Sequence, residues 1–295
     1  MTTPGTVVIL NPAAGSGRVA TVWAHLSPRV RALFPFEERW TRAPGEATQI
    51  AAAAAAAGID RILSVGGDGT LHEVVNGVAG TNVAVGVLPL GTGNDFARCT
   101  GLYRPLPQLI EALARGGTRR IDLGRVHGRF YINIAGVGFD AEVARQVNAT
   151  AAKASGTVPY LLTAMRLAFR YVPPVLQFAL DDAGLSRPER HLLIAVGNTQ
   201  AYGGGMRVCP RAEVDDGLLD VLAVGDVRGW STLGLLPKVF LGAHLSHPAV
   251  QYSKARGVQV VGPADVALHA DGELLGGLPA TFSVAPQALS LWSPA

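Results

Sequence analysis

Cysteine and lysine are both scarce in this chain. The only cysteines are Cys99 and Cys209, too few and too far apart for a disulfide framework, so a reducing, cytoplasmic setting is expected. The only lysines are Lys153, Lys238 and Lys254; arginine carries the rest of the positive charge. Charged residues make up 16% of the chain and the formal net charge is +3, too mild a balance to point to nucleic acid. It suits polyanionic ligands or an anionic membrane surface. The seven histidines show no metal-ligand spacing, which argues against a transition-metal site. No apolar run reaches the ~18 residues of a spanning helix. The best candidate, "WSTLGLLPKVFLGAHL", carries Pro237 and Lys238 in its middle. "MTTPGTVVILNP" has no charged segment before an apolar core, so no signal peptide is expected. Nowhere does Gly-Lys precede Ser or Thr, which excludes a P-loop.

What is present is apolar and rich in glycine: 295 residues, 48% hydrophobic, with 36 glycines. That is enough for one large or two ordinary domains, each with a core. The first third alternates expected strands (6–10, 36–41, 61–65, 83–88) with expected helices (18–33, 46–57, 71–78). Near-continuous apolar strands in a βαβα order predict a parallel sheet covered on both faces. Beyond Ile121, strand-type runs dominate (130–135, 176–181, 192–197, 218–224, 258–261, 266–270, 281–285, 289–292). Two helical insertions, 159–171 and 228–243, interrupt them. Mostly antiparallel pairing follows. The expected domains are 1–125, α/β, and 126–295, a β-sandwich whose last strand is free to return to the first domain.

Three glycine loops follow apolar strands of the first domain: "NPAAGSGR" (Asn11–Arg18), "GGDGT" (Gly66–Thr70) and "LPLGTGNDFAR" (Leu88–Arg98). Glycine lets backbone approach a ligand closely. Amides at a helix N-terminus suit phosphate, and ligands of open α/β sheets sit beyond the carboxyl ends of the strands. Asp68 would repel a bare phosphate, so its natural partner is a divalent cation or its bound water. Together these suggest a magnesium–nucleotide polyphosphate. The alternative is a tight strand–helix turn with Asp68 near the N-cap. "LHEVVN" is no zinc motif, because Asn76 stands where a second histidine is needed; His72 and Glu73 are expected to face solvent or cap the loop.

"GGDGT", "GTGNDFAR" and the early "NP..G.G", followed in order by "IDLGRV", "GVGFDAEV", "GGGMRVCPRAEVDDGLLDV" and "HADGE", resemble the diacylglycerol kinase catalytic domain family. The resemblance covers nearly the whole chain. It implies an NAD-kinase-like α/β domain followed by a mostly antiparallel β-sandwich domain, with ATP and Mg²⁺ as cofactors. Its phosphates would lie on Gly66, Gly67, Asp68, Gly69 and Thr70, reaching His72. Asn11, Thr41, Thr92 and Asn94 match further nucleotide contacts. Asp68, Asp95 and Asp122 match a water-bridged network around the catalytic magnesium, with Arg18 nearest the family's basic position. The Asp216 side chain with the Glu213 and Leu218 carbonyls matches a second, structural magnesium site. Glu273 matches the general base. The partner implied is a lipid alcohol met at a membrane surface, by peripheral contact; a homodimer is left open.

The residues alone leave rivals standing. Asp271-Gly272 is a hairpin signal in its own right, Asp215-Asp216-Gly217 reads equally as a turn, and Asp122 as a surface residue. The segments 159–171 and 230–245 read as an acyl-pocket lining, a bilayer contact or, most simply, helices packed on the sandwich. A kinase of a soluble acceptor such as NAD shares GGDGT, and a non-catalytic lipid- or nucleotide-binding regulator could keep the fold.

Overall fold

The computed structural model describes residues 5–150 and 157–294. They fall into two compact units, Met1–Leu123 with Pro286–Ala295, and Gly124–Ala285. In the first unit β1 (Thr6–Leu10), α1 (Val19–Leu33), β2 (Glu37–Trp40), α2 (Glu46–Ala56), β3 (Arg61–Gly66), α3 (Asp68–Val78), β4 (Ala84–Pro89), α4 (Asp95–Cys99) and α5 (Leu106–Arg115) alternate, and β5 (Gly117–Val126) leads out. In the second, β6 (Arg129–Tyr131), β7 (Ile134–Gly138), α6 (Phe139–Thr150), α7 (Thr157–Leu167), β8 (Val175–Leu180), β9 (Glu189–Arg190), β10 (Leu193–Gly197), β11 (Leu219–Val224), α8 (Trp230–Leu241), β12 (Val250–Ala255), β13 (Gly257–Val261), β14 (Leu268–Ala270) and β15 (Glu273–Leu274) follow. The long β16 (Ala280–Ser293) begins in the second unit and ends in the first.

The first unit is built on parallel strands in the order β2-β1-β3-β4-β16. Every residue of β1 and β4, and all of β3 after Arg61, is buried. That is why these runs read as continuously apolar: both faces are covered. Registers Leu10↔Val65 and Val65↔Leu88 bring the three carboxyl ends level, so their loops emerge at one edge.

The second unit has a fully antiparallel sheet, β12-β11-β10-β7-β14-β15. One face contributes Val137, Ile194, Val196 and Val221 to a core shared with Leu176, Val258, Val260 and Phe282 of β8, β13 and β16. The other contributes Ala195, Leu222 and Val224 to a second core, closed by Phe139, Val143, Ala164, Leu167 and Leu235 of α6, α7 and α8. This is the expected sandwich with helices on one outer face.

Several expected elements are redrawn. The strand expected over 130–135 is two, β6 and β7, because the chain bends at Ile132–Asn133, where the Asp271 carboxylate takes the backbone N–H groups. Among the described residues the helical insertions are three, not two: α6 follows the glycines of "GVGFDAEV", which hide its start in the sequence. The strands expected at 281–285 and 289–292 are one, β16; Pro286 and Gln287 (φ 51°) read as a turn but sit within it. α5 and β12 were not expected.

Candidate functional site

The three glycine loops touch one another backbone to backbone. A Cβ on Gly91 would overlap the Gly67 backbone, and one on Gly15 would overlap the Leu90 carbonyl. Only glycine permits that approach. Polar contacts complete the clamp. The Asn11 side-chain amide donates to Thr70 Oγ1 at 3.0 Å, and the N–H groups of Leu90 and Gly91 both donate to the Gly66 carbonyl, at 2.8 and 3.1 Å. Asn94, left-handed at φ 54°, folds its side chain onto Gly91: Oδ1 accepts from its N–H at 2.9 Å and Nδ2 donates to its carbonyl at 2.8 Å.

Asp68 stands in the first turn of α3, yet its carboxylate serves another helix. Oδ2 accepts the Asp95 N–H and Oδ1 the Phe96 N–H, both at 3.1 Å. These donors belong to the otherwise unsatisfied first turn of α4. A carboxylate there is favoured by the partial positive charge of the helix terminus. Asp68 therefore caps α4, whereas the alternative turn reading set it near the N-cap of α3. Asp95 itself is buried.

The remaining expected residues are less concentrated. Thr41, buried, donates through its N–H to the Leu10 carbonyl at 2.9 Å, with its hydroxyl 3.4 Å from the same oxygen. Thr92 and Gly69 are exposed. Arg18 is exposed, with Nε donating to the Gly15 carbonyl at 3.0 Å. Solvent-facing His72 is corrected: it is 1% exposed, with its ring 3.3 Å from the Asn76 amide. Its position i−4 to Asn76 turns it inward, on the buried face of α3 with Val75. Glu73 does cap, accepting from the Ala47 N–H in the first turn of α2 at 3.1 Å. Asp122 is no surface residue: it is 1% exposed and accepts from the Gln287 N–H at 2.7 Å.

In the second unit Glu273 sits on the two-residue hairpin joining β14 to β15, in register Ala270↔Glu273. Asp271 (φ 49°) and Gly272 (φ 87°) form the turn, as the Asp-Gly signal predicts. Glu273 lies 3.3 Å from Arg129, with both side chains close to half exposed. The turn is anchored from two sides. The Asp271 carboxylate accepts from the N–H groups of Ile132, Asn133 and Ile134, at 2.7, 2.9 and 3.3 Å. The Gly272 N–H points to His269 Nδ1 at 3.3 Å, and His269 Nε2 lies 3.1 Å from the Asp140 carboxylate. An Nδ1 that accepts leaves the proton on Nε2, facing Asp140. Tyr202 stacks on the imidazole (5.6 Å, 20°) and reaches Asp140 through its hydroxyl at 3.4 Å. Sequence reasoning missed Asp140, His269 and Tyr202 as a cluster. The signal available was "GVGFD", where glycines ending a strand precede a carboxylate opening a helix.

Asp140 and Tyr202 also line a cavity of about 70 Å³ whose other walls are apolar: Phe139 and Val143 of α6, Ala164 of α7, and Val239 and Phe240 of α8, among others.

The donors at the glycine loops fit a nucleotide-bound Mg²⁺. They are hard carboxylate oxygens, set on loops whose backbones cross in contact. Among the described residues no set of three acidic, imidazole or thiol groups converges directly on one point, so a metal here would be held through water and phosphate oxygens. The second expected magnesium site rests on the Asp216 side chain and the Glu213 and Leu218 carbonyls. Asp216 accepts from the Leu218 N–H at 3.0 Å and from the Lys254 ammonium at 2.6 Å, while Glu213 is exposed. Lys254 also lies 3.9 Å from the buried Asp220. Lys254 is thus paired with both Asp216 and Asp220.

Residues 5–126 match the diacylglycerol kinase catalytic domain, and residues 133–293 match the YegS C-terminal NAD kinase beta sandwich-like domain. A Mycobacterium tuberculosis protein named diacylglycerol kinase is 34% identical over 256 residues, covering 84% of this chain and 82% of that one. The chain belongs to the diacylglycerol kinase family. A Bacillus subtilis diacylglycerol kinase is 32% identical over 245 residues, covering 82% of this chain and 80% of its own. A crystal structure of a diacylglycerol kinase from Bacillus anthracis superposes with a TM-score of 0.75 over 99% of this chain and 98% of that one. At 20% identity that likeness speaks for the fold alone. The α/β unit and antiparallel sandwich are the family fold, and the chain is a kinase by family.

Proposed function

We propose that this protein is an ATP- and Mg²⁺-dependent lipid kinase that moves the γ-phosphoryl group to the hydroxyl of a diacylglycerol or a similar lipid. The observation that carries the reading is the Asp68 clamp: one carboxylate ties the "GGDGT" loop to the first turn after "GTGN", at an edge where three loops cross through glycine. Phosphoryl transfer asks for positioning and charge neutralisation, and crossed main chains with fixed amides supply both. Mg²⁺ would neutralise phosphate charge, with Asp68, Asp95 and Asp122 holding its waters.

Glu273 is the proposed base. Its role is to accept the hydroxyl proton as the new phosphoryl bond forms. Arg129 lies 3.3 Å from its carboxylate. The cavity beside Asp140 is walled mostly by apolar side chains, a chemistry in keeping with a hydrocarbon-bearing acceptor.

The test is purified protein with γ-labelled ATP, Mg²⁺ and, in parallel, diacylglycerol, sphingoid base and NAD. Label in a lipid phosphate supports the reading. Label in NAD alone selects the soluble-acceptor kinase, and ATP binding with no labelled product selects a regulator.

A further inference from the structure

The hairpin that carries Glu273 is short and ends its sheet. β15 has two residues and stands last in the strand order, paired with β14. In a two-residue turn the second central N–H has no partner in the hairpin's own ladder, and water ordinarily takes it. Here the Gly272 N–H donates instead to His269 Nδ1 at 3.3 Å. The Gly272 carbonyl accepts from the Asn148 side-chain amide of α6 at 3.5 Å. The peptides on either side of Gly272 are thus both held, and the second of them leads into Glu273.

The imidazole is placed just as firmly. Paired positions across β11, β10, β7 and β14 put Leu222, Ala195, Gly136 and His269 in one row. Leu222 and Ala195 belong to an apolar core. Gly136 leaves a gap in the row, and a Cβ there would overlap the Asp140 carboxylate. The missing side chain lets a carboxylate from the start of α6 cross β7 and reach the next strand. Asp140 Oδ2 meets His269 Nε2 at 3.1 Å and the Tyr202 hydroxyl at 3.4 Å, while the Tyr202 ring stacks on the imidazole.

His269 is 0% exposed and Asp140 4%. A buried carboxylate and imidazole stabilise a core less than well-packed apolar side chains would. Filling space does not explain them. An imidazole can accept on one nitrogen and donate on the other across a rigid ring. With both nitrogens protonated, an Nδ1–H would face the Gly272 N–H, so the geometry selects the neutral form protonated at Nε2. Glu273 pairs with Ala270, and successive residues of a strand point to opposite faces, so His269 reaches Glu273 through the Gly272 peptide and not by contact. An acceptor of a proton has to be held to within about 0.5 Å of its productive place, and a half-exposed carboxylate on an edge hairpin needs such a support.

We propose that His269, fixed by Asp140 and Tyr202, is a positioning residue for Glu273: its Nδ1 holds the Gly272 peptide and so sets where the carboxylate stands. This rests on the reading of Glu273 as the base and adds the residues that orient it.

Two substitutions separate the nitrogens. His269→Asn keeps an acceptor at the Nδ1 position and loses the donor to Asp140. His269→Gln keeps a donor at the Nε2 position and loses the acceptor for Gly272. In the full chain labelled with ¹⁵N, wild-type His269 should show an unprotonated Nδ1. Exchange of the Gly272 N–H, read by NMR, should rise about fivefold in His269→Gln, the scale of one hydrogen bond, and stay near wild type in His269→Asn. Ladder amides of β7 and β14 should remain protected in both. With labelled ATP and dispersed short-chain diacylglycerol, kcat per folded protein should fall at least about tenfold in His269→Gln, with KM for either substrate unchanged, and should largely recover in His269→Asn. Equal loss of kcat in the two variants, an Nδ1–H in the wild type, or Gly272 exchange indifferent to His269→Gln overturns the proposal. Protection of Gly272 in a wild-type protein that labels no acceptor contradicts the kinase reading and not the anchor. Transfer by a protein whose Gly272 amide exchanges freely contradicts the anchor and not the kinase.

Discussion

Asp68 and Asp95 meet through a carboxylate and a main-chain amide: Oδ2 of the first accepts the N–H of the second at 3.1 Å. The contact explains why a carboxylate stands among glycines. It fixes the start of α4 and so the placement of the "GTGN" loop. In Asp68→Ala both acceptors vanish, which should cost about 1–2 kcal/mol of stability, the scale of a lost helix cap. Turnover should be abolished while circular dichroism shows a folded protein. Asp68→Asn keeps one acceptor and should be the milder of the two in thermal stability yet equally inactive. A turnover-competent Asp68→Ala would remove Asp68 from the site.

Gly91 and Gly15 are positions where any side chain meets backbone. Gly91→Ala should destabilise by about 1–3 kcal/mol through overpacking, read by urea denaturation. ATP affinity, measured by calorimetry on the folded fraction, should fall as well. Tolerance of alanine at both positions would mean that the loops do not need to cross this closely.

Glu273 tests the assignment of the base. Glu273→Gln should lower kcat strongly and leave ATP affinity unchanged. The Arg129 partner is about half exposed, and exposed pairs contribute only ~0–1 kcal/mol. Melting temperature should therefore hardly move. An equal fall in ATP affinity would place Glu273 in binding instead.

How far the sequence reveals this molecule depends on the kind of signal. Parallel strands buried on both faces announce themselves by unbroken apolar runs, and β1, β3 and β4 were legible for that reason. Turn chemistry was legible at Asp271-Gly272, where two left-handed residues are needed. The gap left between the strands expected at 281–285 and 289–292 closed up, because Pro286 and Gln287 (φ 51°) lie within β16 without ending it. The cluster of Asp140, Tyr202 and His269 was invisible, because residues 62 and 129 positions apart share no local pattern. The pairing of Lys254 with Asp216 and Asp220 was likewise visible only in the fold, since it lies 38 and 34 positions from them.

That lysine yields a metal-removal prediction. If its ammonium is the resident cation, chelation with EDTA should leave the melting temperature unchanged, while Lys254→Met should lower it. Asp220 already has a carboxyl pKa raised by burial, although Tyr252 and Lys254 pull it down. Its contribution to stability is fully present below the ordinary carboxylate value and is lost as pH rises through the raised one. Removing Lys254 should steepen that loss. A drop of several degrees on EDTA treatment would restore the second magnesium.

Acid should act through His244. It is buried, with Nε2 3.0 Å from the Val208 carbonyl, and burial holds its pKa below the usual imidazole value. A depressed pKa stabilises the fold above the unfolded value of about 6.5, and that stability is lost as pH falls through the folded one. Melting temperature should decline below about pH 6.5, and His244→Gln should flatten the decline. An unchanged profile in that variant would assign acid sensitivity elsewhere, with buried His191 the next candidate.

The most direct test of the whole account is a crystal structure with Mg²⁺ and a non-hydrolysable ATP analogue. The account predicts the polyphosphate against the main-chain amides of Gly66–Thr70, with the metal's waters on Asp68. A well-ordered analogue bound away from the three glycine loops would contradict it.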